Sequence, residues 1–286
     1  MNSCQRYFSI CALALLTQAA FAQSAPTLGS ASSFTVLSAA PSAGGAVTCT
    51  DSTITGDVGS SGAAASIVQT SCTTTGAVIA PVSAGVLADF NSAYDALAGQ
   101  ACDSFLPTLD VTQSLSPGVY CFGAAATATG KTLTLNGGAN DTWLFKVGTG
   151  GTGALTGTSF SVVMAGGASA CNVTWWVAEA ATITTSSFLG TILAGAAITG
   201  TGVAPTSPFE GRALAKAAVT MTNVALLGCE GGSIGGSAGK QKCNQGVGNG
   251  PEGCDPGNSN QGNPFRSNDE VGGTPGNPGR KGGNKK

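Results

Sequence analysis

A short pattern, apolar-Thr-x-Thr, recurs in this chain and carries the residues best placed to do chemistry. It reads Leu155-Thr156-Gly157-Thr158, Ile198-Thr199-Gly200-Thr201 and Val219-Thr220-Met221-Thr222, with a looser copy at Ile183-Thr184-Thr185-Ser186. Alternate side chains of a strand point to opposite faces. The leading Leu, Ile or Val then points inward together with the residue two places on. Thr156, Thr158, Thr184, Ser186, Thr199, Thr201, Thr220 and Thr222 are therefore predicted to point outward together. Strands of this kind, stacked side by side, make a flat, stiff grid of methyls and hydroxyls. The chemistry of such a grid is adsorption through many weak contacts, and it suits an ordered, repetitive target better than a small molecule in a pocket. Register is decisive, because a slip of one residue exchanges the two faces.

Other chemistry has little to work with. The chain has no histidine, which removes Ser–His and Cys–His nucleophile machinery and histidine-based metal sites. Paired carboxylates hydrolyse glycans on some solenoids. Here Asp89 and Asp95 fall on a helical segment, and Glu179 and Glu210 lie far apart in sequence. The chain is read as a non-enzyme that needs no cofactor and no metal. Charge is sparse: residues 23–229 hold four basic side chains (Lys131, Lys146, Arg212, Lys216) against nine acidic ones. That is no footprint for nucleic acid. The charged residues read as structural. Asp57 is expected to bond local backbone at a turn. Arg212 and Glu210 sit on one side of their strand, placed to pair with each other or to meet a helix. Trp143, Trp175 and Trp176 read as core or helix-facing residues in preference to a sugar platform.

The N-terminus has the form of a secretory signal. A basic start at Arg6, the apolar run Ile10–Leu16 and Ala20-Phe21-Ala22 predict removal of residues 1–22. The run is too short to span a bilayer as a membrane helix, so no integral membrane segment is expected. Eight cysteines remain, an even number in a chain read as exported, and this predicts disulfides. Nearest-neighbour pairing gives Cys49–Cys72, Cys102–Cys121, Cys171–Cys229 and Cys243–Cys254. The rival, a thiolate metal site, lacks any C-x-x-C spacing.

The elements that must hold the grid are short strands. Residues 23–229 alternate Val, Ile, Leu and Ala with Thr, Ser and Gly, which points to a folded, β-rich domain. One segment changes period. Val86, Leu87, Phe90, Tyr94 and Leu97 form a helical stripe over about residues 83–99, with Ser83 as its N-terminal cap and Gly99 at its end. Later, Phe188-Leu189-Gly190-Thr191-Ile192-Leu193-Ala194 and Phe209-Glu210-Gly211-Arg212-Ala213-Leu214-Ala215 share F-x-G-x-x-L-A, and each precedes a Thr-rich strand. A strand pair recurring at roughly twenty residues marks a β-solenoid. Leu193 and Leu214 are candidates for a face covered by the helix. Beyond Cys229 the composition turns to Gly, Asn, Pro and Lys, so residues 230–286 read as a largely disordered tail. Cys243–Cys254 would close a small loop there. Its Glu252 and Asp255 lack the spaced acidic ligands of a calcium site.

Several stretches resemble one family. Leu28–Phe34, Ile54–Gly59 and Leu115–Tyr120 are similar to its N-terminal half. Cys171–Val177, Gly190–Ala194, Gly211–Ala215 and Ala218–Met221 are similar to its C-terminal half. The family is that of microbial ice-binding proteins, the DUF3494 domain, and the resemblance covers about residues 27–229. It implies a right-handed, discontinuous β-solenoid of triangular cross-section with one long flanking α-helix. It also implies that ice is bound on one flat face. The expected partner is then an ice crystal surface, and the expected protein a secreted monomer. The alternative is a cell-surface adhesion or matrix module, with the tail reaching a surface or matrix partner. Three features depart from the family pattern: the inserted Val203–Pro208, the six cysteines within the domain and the tail that lies outside it.

Overall fold

A computed structural model describes residues 26–202 and 208–229. The predicted signal segment, residues 203–207 of the insertion Val203–Pro208, the tail and Cys243–Cys254 lie outside the described residues.

The chain winds into coils of three short strands, and strands of successive coils pair in parallel to form three faces. Face A has nine strands, in the spatial order Val78–Ile79, Asp57–Ser60, Phe34–Ser38, Ala213–Ala215, Thr191–Ala194, Val173–Val177, Trp143–Val147, Gly118–Phe122 and Ser104–Phe105. Face B has seven: Ala126–Thr129, Leu155–Thr158, Ala181–Thr184, Ile198–Thr201, Val219–Thr222, Val47–Thr50 and Ile67–Thr70. Face C is split into a three-stranded part, built from Gln113–Leu115, Thr132–Asn136 and Ser161–Ala165, and a five-stranded part that begins at Phe188–Leu189. This is a β-solenoid, and it is discontinuous. Phe34–Ser38 pairs with Asp57–Ser60 on one side and with Ala213–Ala215 on the other, so the first coils stack on the last.

The helix makes that order possible. α1 (Ala84–Ala98) carries the chain between the first coils and the strand Ser104–Phe105 at the far end of face A. Ser83 caps its start, accepting from Val86 N–H at 3.4 Å. Gly99 ends it, in right-handed backbone and not in the left-handed form usual for a terminal glycine. The stripe Val86, Phe90, Ala93, Tyr94 and Leu97 is buried. It packs on one outward row of face A, in which Leu37, Leu214, Leu193, Trp176, Lys146, Cys121 and Phe105 stand in register. Leu193 and Leu214 are fully covered there, and Trp176 meets the Tyr94 ring at 5.3 Å. Lys146 stands in this row beside the end of the helix. Its ammonium donates to the carbonyls of Ala98 (2.8 Å) and Gln100, completing the helix C-terminus with a cation. Burial holds the pKa of Lys146 below that of an ordinary lysine. Phe105, past the end of the helix, is exposed.

Inside the solenoid the aromatic residues run in a column. Tyr120, Phe145, Trp175, Phe188 and Phe209 follow one another at centroid separations of 5.6, 4.1, 5.2 and 5.1 Å. Trp143 and Trp175 are core residues and Trp176 faces the helix. Phe188 and Phe209, the first residues of the two F-x-G-x-x-L-A segments, are direct ladder partners. Their glycines permit the coils to touch: a Cβ on Gly211, at φ +147°, would sit 2.0 Å from the carbonyl oxygen of Gly190.

Two charged residues differ from expectation. Arg212 pairs neither with Glu210 nor with the helix. It is 1% exposed and donates to the backbone carbonyls of Ser32 (3.2 Å) and Cys229. It thereby ties the N-terminal entry of the domain to its C-terminal exit, and burial depresses its pKa to about 10. Asp57 bonds no local backbone. Its carboxylate accepts from Ala77 N–H at 2.7 Å, one coil further along the chain. Coil stacking brings distant residues within reach, so the nearest backbone in sequence is not the nearest in space. Disulfides join Cys49 to Cys72, Cys102 to Cys121 and Cys171 to Cys229.

Leu193→Ala should lower unfolding free energy by about 2–5 kcal/mol, because it empties a closed contact under the helix. Leu227→Ala, at a side chain left 46% exposed, should cost less than about 0.5 kcal/mol. Denaturant titration of the two variants checks the difference.

A threonine face as the candidate functional site

Face B is built from tetrapeptides that alternate buried and less buried residues. Leu155–Thr158, Ala181–Thr184, Ile198–Thr201, Val219–Thr222 and Val47–Thr50 all repeat this order. The buried positions form two inner rows. One holds Ala126, Leu155, Ala181, Ile198, Val219 and Val47. The other holds Ala128, Gly157, Ile183, Gly200, Met221 and Cys49. From Gly157 onward, small and large residues alternate in the second row. A Cβ on Gly200 would lie 2.6 Å from the Met221 sulfur, so glycine leaves the space that the methionine fills. Small beside large keeps the sheet level above an uneven core.

The outward positions form two rows of seven, in register across all seven strands. One row is Thr127, Thr156, Thr182, Thr199, Thr220, Thr48 and Val68. The other is Thr129, Thr158, Thr184, Thr201, Thr222, Thr50 and Thr70. Thirteen of these fourteen side chains are threonine and none is ionisable, so the face carries no titratable charge. Strand geometry sets the mesh at about 4.8 Å between strands and about 6.6 Å along each, over roughly 29 Å of sheet.

Six of the seven strands bend in the same way at their C-terminal corner. The residue after the second threonine is left-handed at Asp51, Ser71, Gly130, Ser159, Thr185 and Asn223, with φ between 47° and 62°. The N–H groups at this corner donate to the threonine carbonyl of the neighbouring coil. Gly130 to Thr158 is 2.9 Å, Ser159 to Thr184 2.9 Å, Thr185 to Thr201 2.7 Å, Gly202 to Thr222 3.0 Å, Asn223 to Thr50 3.0 Å and Asp51 to Thr70 2.9 Å. A ladder of this kind fixes both register and tilt. The left-handed bend disfavours a β-branched residue, and Thr185 is held there by the ladder and by a 3.1 Å contact with Ser159 Oγ.

The bend also corrects one expected site residue. Thr156, Thr158, Thr184, Thr199, Thr201, Thr220 and Thr222 lie on the outer rows, and Ser186 does not. The chain turns the corner at Thr185, which ends the alternation. Ser186 is 5% exposed and points inward, donating to Thr184 O at 2.8 Å and accepting from Phe160 N–H at 3.0 Å. Ser52 does the same after Asp51, with Thr50 O and Val224 N–H as partners. The outward partner of Thr184 is Thr182, so the strand reads Ala181-Thr182-Ile183-Thr184. Sequence reasoning also missed Thr48, Thr50, Thr127 and Thr129, although Val47-Thr48-Cys49-Thr50 and Ala126-Thr127-Ala128-Thr129 carry the same pattern. Thr70 and Val68 carry no such pattern and are found only through pairing with Val47–Thr50.

Among the described residues no cluster of three or more His, Cys, Asp or Glu is placed to hold a metal ion, and no helix is long and apolar enough to cross a membrane. What the face offers is a plane of hydroxyls and methyls.

Known proteins resemble this chain in sequence and in fold. The family model described as ice-binding-like matches residues 41–226. The ice-binding protein K3-B1 of Typhula ishikariensis is 30% identical over 225 residues, covering 70% of this chain and 89% of that protein. An ice-binding protein of Flavobacterium frigoris (strain PS1) is 31% identical over 185 residues, covering 58% of this chain and 64% of that protein. Among solved structures, an ice-binding protein from an Antarctic biological consortium superposes with a TM-score of 0.60 at 29% identity, covering 72% of this chain and 92% of the other. One from the Antarctic ascomycete Antarctomyces psychrotrophicus gives 0.59 at 29% identity, covering 71% and 98%. With a family match over most of the folded residues and the same solenoid architecture, the chain belongs to the ice-binding-like family.

Proposed function

We propose that this is a secreted, non-catalytic ice-binding protein that adsorbs to ice through face B and so inhibits ice growth or recrystallisation. The observation that carries the reading is the pair of in-register outer rows, thirteen threonines in fourteen positions on one parallel sheet. Each threonine contributes a methyl that water cannot bond and a hydroxyl that it can. Repeated on a fixed mesh, they order surface water on the scale of a crystal lattice. A single such contact is weak, so adsorption depends on many forming at once without a large loss of freedom. Threonine is stiff about χ1 and the ladder beneath it is rigid, which keeps that loss small. Secretion is supported by the N-terminal signal pattern and by three disulfides, which persist in oxidising compartments. The relatives named as ice-binding proteins support the choice of ice as the target.

Thr199 and Thr220 are ladder partners near the middle of the outer rows. In the oxidised mature chain, residues 23–286, Thr199→Tyr with Thr220→Tyr should abolish thermal hysteresis and recrystallisation inhibition. The circular dichroism spectrum should not change. Full activity in a folded double variant would mean that another face binds. A folded wild-type protein without either activity would transfer the solenoid to the adhesion or surface-module reading.

A second expectation concerns pH. With no ionisable side chain among the fourteen outward positions, hysteresis should stay flat between about pH 5 and pH 9, where only perturbed or histidine-like groups titrate. A sigmoidal change in that range, in protein that remains folded, would place a charged group in the adsorbing surface.

A further inference from the structure

The two edges of face B are held in different ways. At one edge, Ala126 and Ala128 of the strand Ala126–Thr129 are buried in the core, in the same cluster as the fully buried Leu109. The free side of that strand is also answered, since Thr129 N–H donates to Asp110 Oδ1 at 2.9 Å. At the other edge, the inward residues of Ile67–Thr70 are Ile67, only half-buried, and Gln69, exposed. Ile67 touches the core but Gln69 does not, so burial supplies less there, and an edge strand with a thinly packed face frays. Beyond its backbone ladder to Val47–Thr50, two side-chain links hold it. Gln69 Nε2 donates to Thr74 Oγ1 at 2.6 Å, and Cys72, just past the left-handed Ser71, is bonded to Cys49. Cys49 is 1% exposed and belongs to the inner row of the adjacent strand. The disulfide thus reaches from the corner of the terminal coil into the core of the next one.

We propose that the Cys49–Cys72 bond is a positioning element for the adsorbing face: it holds the terminal strand, with Val68 and Thr70, level with the other six. This rests on face B being the ice-adsorbing surface. Opening the bond removes one strand from the plane and leaves the rest of the solenoid in place. The remaining three-strand coils keep their own core and their own ladder, so loss of area and not loss of fold is the consequence.

The molecule contains its own control. Cys49–Cys72 and Cys102–Cys121 close loops of similar length, with separations of 23 and 19 residues, so loop closure predicts similar effects on global stability. Cys102–Cys121 lies on the helix side of face A, away from the threonine rows. The experiment compares Cys49→Val/Cys72→Ala, Cys102→Ala/Cys121→Val and Thr70→Tyr in the oxidised 23–286 chain. It reads thermal hysteresis at ice temperature and amide hydrogen exchange at residues 67–70. The expected result is reduced hysteresis and unprotected 67–70 amides in the first variant. Hysteresis should be equally reduced, with protected amides, in Thr70→Tyr, and unchanged in the second variant. Equal hysteresis in the two disulfide variants, protected 67–70 amides without Cys49–Cys72, or full activity in Thr70→Tyr would each overturn the proposal. If the wild-type protein itself lacks hysteresis, the adsorption reading fails first. Amide exchange then still decides whether the bond positions the strand.

Discussion

The parallel backbone ladder between successive coils is the constraint on which the rest of this protein depends. In a parallel sheet every residue stands beside the same position of the next strand. A choice made once in sequence is therefore repeated as a row in space. The threonine rows, the inner rows beneath them and the Leu-Trp-Lys row under the helix all come from this one rule. It is enforced at the corners, where left-handed residues donate N–H groups to the neighbouring coil and leave the strand no freedom to slip.

A ladder alone would give a flat ribbon with two wet faces. Closure into three faces gives each strand an inner side, and the interior is filled differently at different levels. Aromatic rings stack where faces A and C meet the axis, while small residues alternate with large ones below face B. The outcome is asymmetric. Face A is covered by α1, face C is split and mixed in its outward residues, and face B alone is both continuous and uniform. Of the three, face B alone presents an extended periodic surface to solvent.

Discontinuity adds a demand of its own. The first coils stack against the last, so the chain must return along the outside of the solenoid and its two ends must be joined. α1 makes the return, anchored at its C-terminal end by Lys146. Arg212 joins the ends through Ser32 and Cys229, and Cys171–Cys229 fastens the exit covalently. These buried cations serve backbone carbonyls and not carboxylates. That accounts for a solenoid in which charge is scarce and Lys216–Asp95 is the ion pair found among the described residues.

The sequence by itself determined the solenoid, because its signals are local and repeated. Strand-sized tetrapeptides recur, one segment of 3.6-residue period stands out, and the F-x-G-x-x-L-A segments recur at roughly the length of a coil. The helix stripe and the covered leucines followed from periodicity alone. Only the tertiary structure decided which threonines share a plane. Alternation along a strand is legible for as long as the strand runs straight, and it ends at a left-handed bend that leaves no mark in composition. Ser186, one residue past Thr185, turned inward for that reason, and Thr182 took the outward place. Thr48, Thr50 and Thr70 joined the face through a pairing between the first coils and the last, across well over a hundred residues of chain. Periodicity is a property of neighbours in sequence, whereas a face is a property of neighbours in space, and in this fold the chain reorders the two.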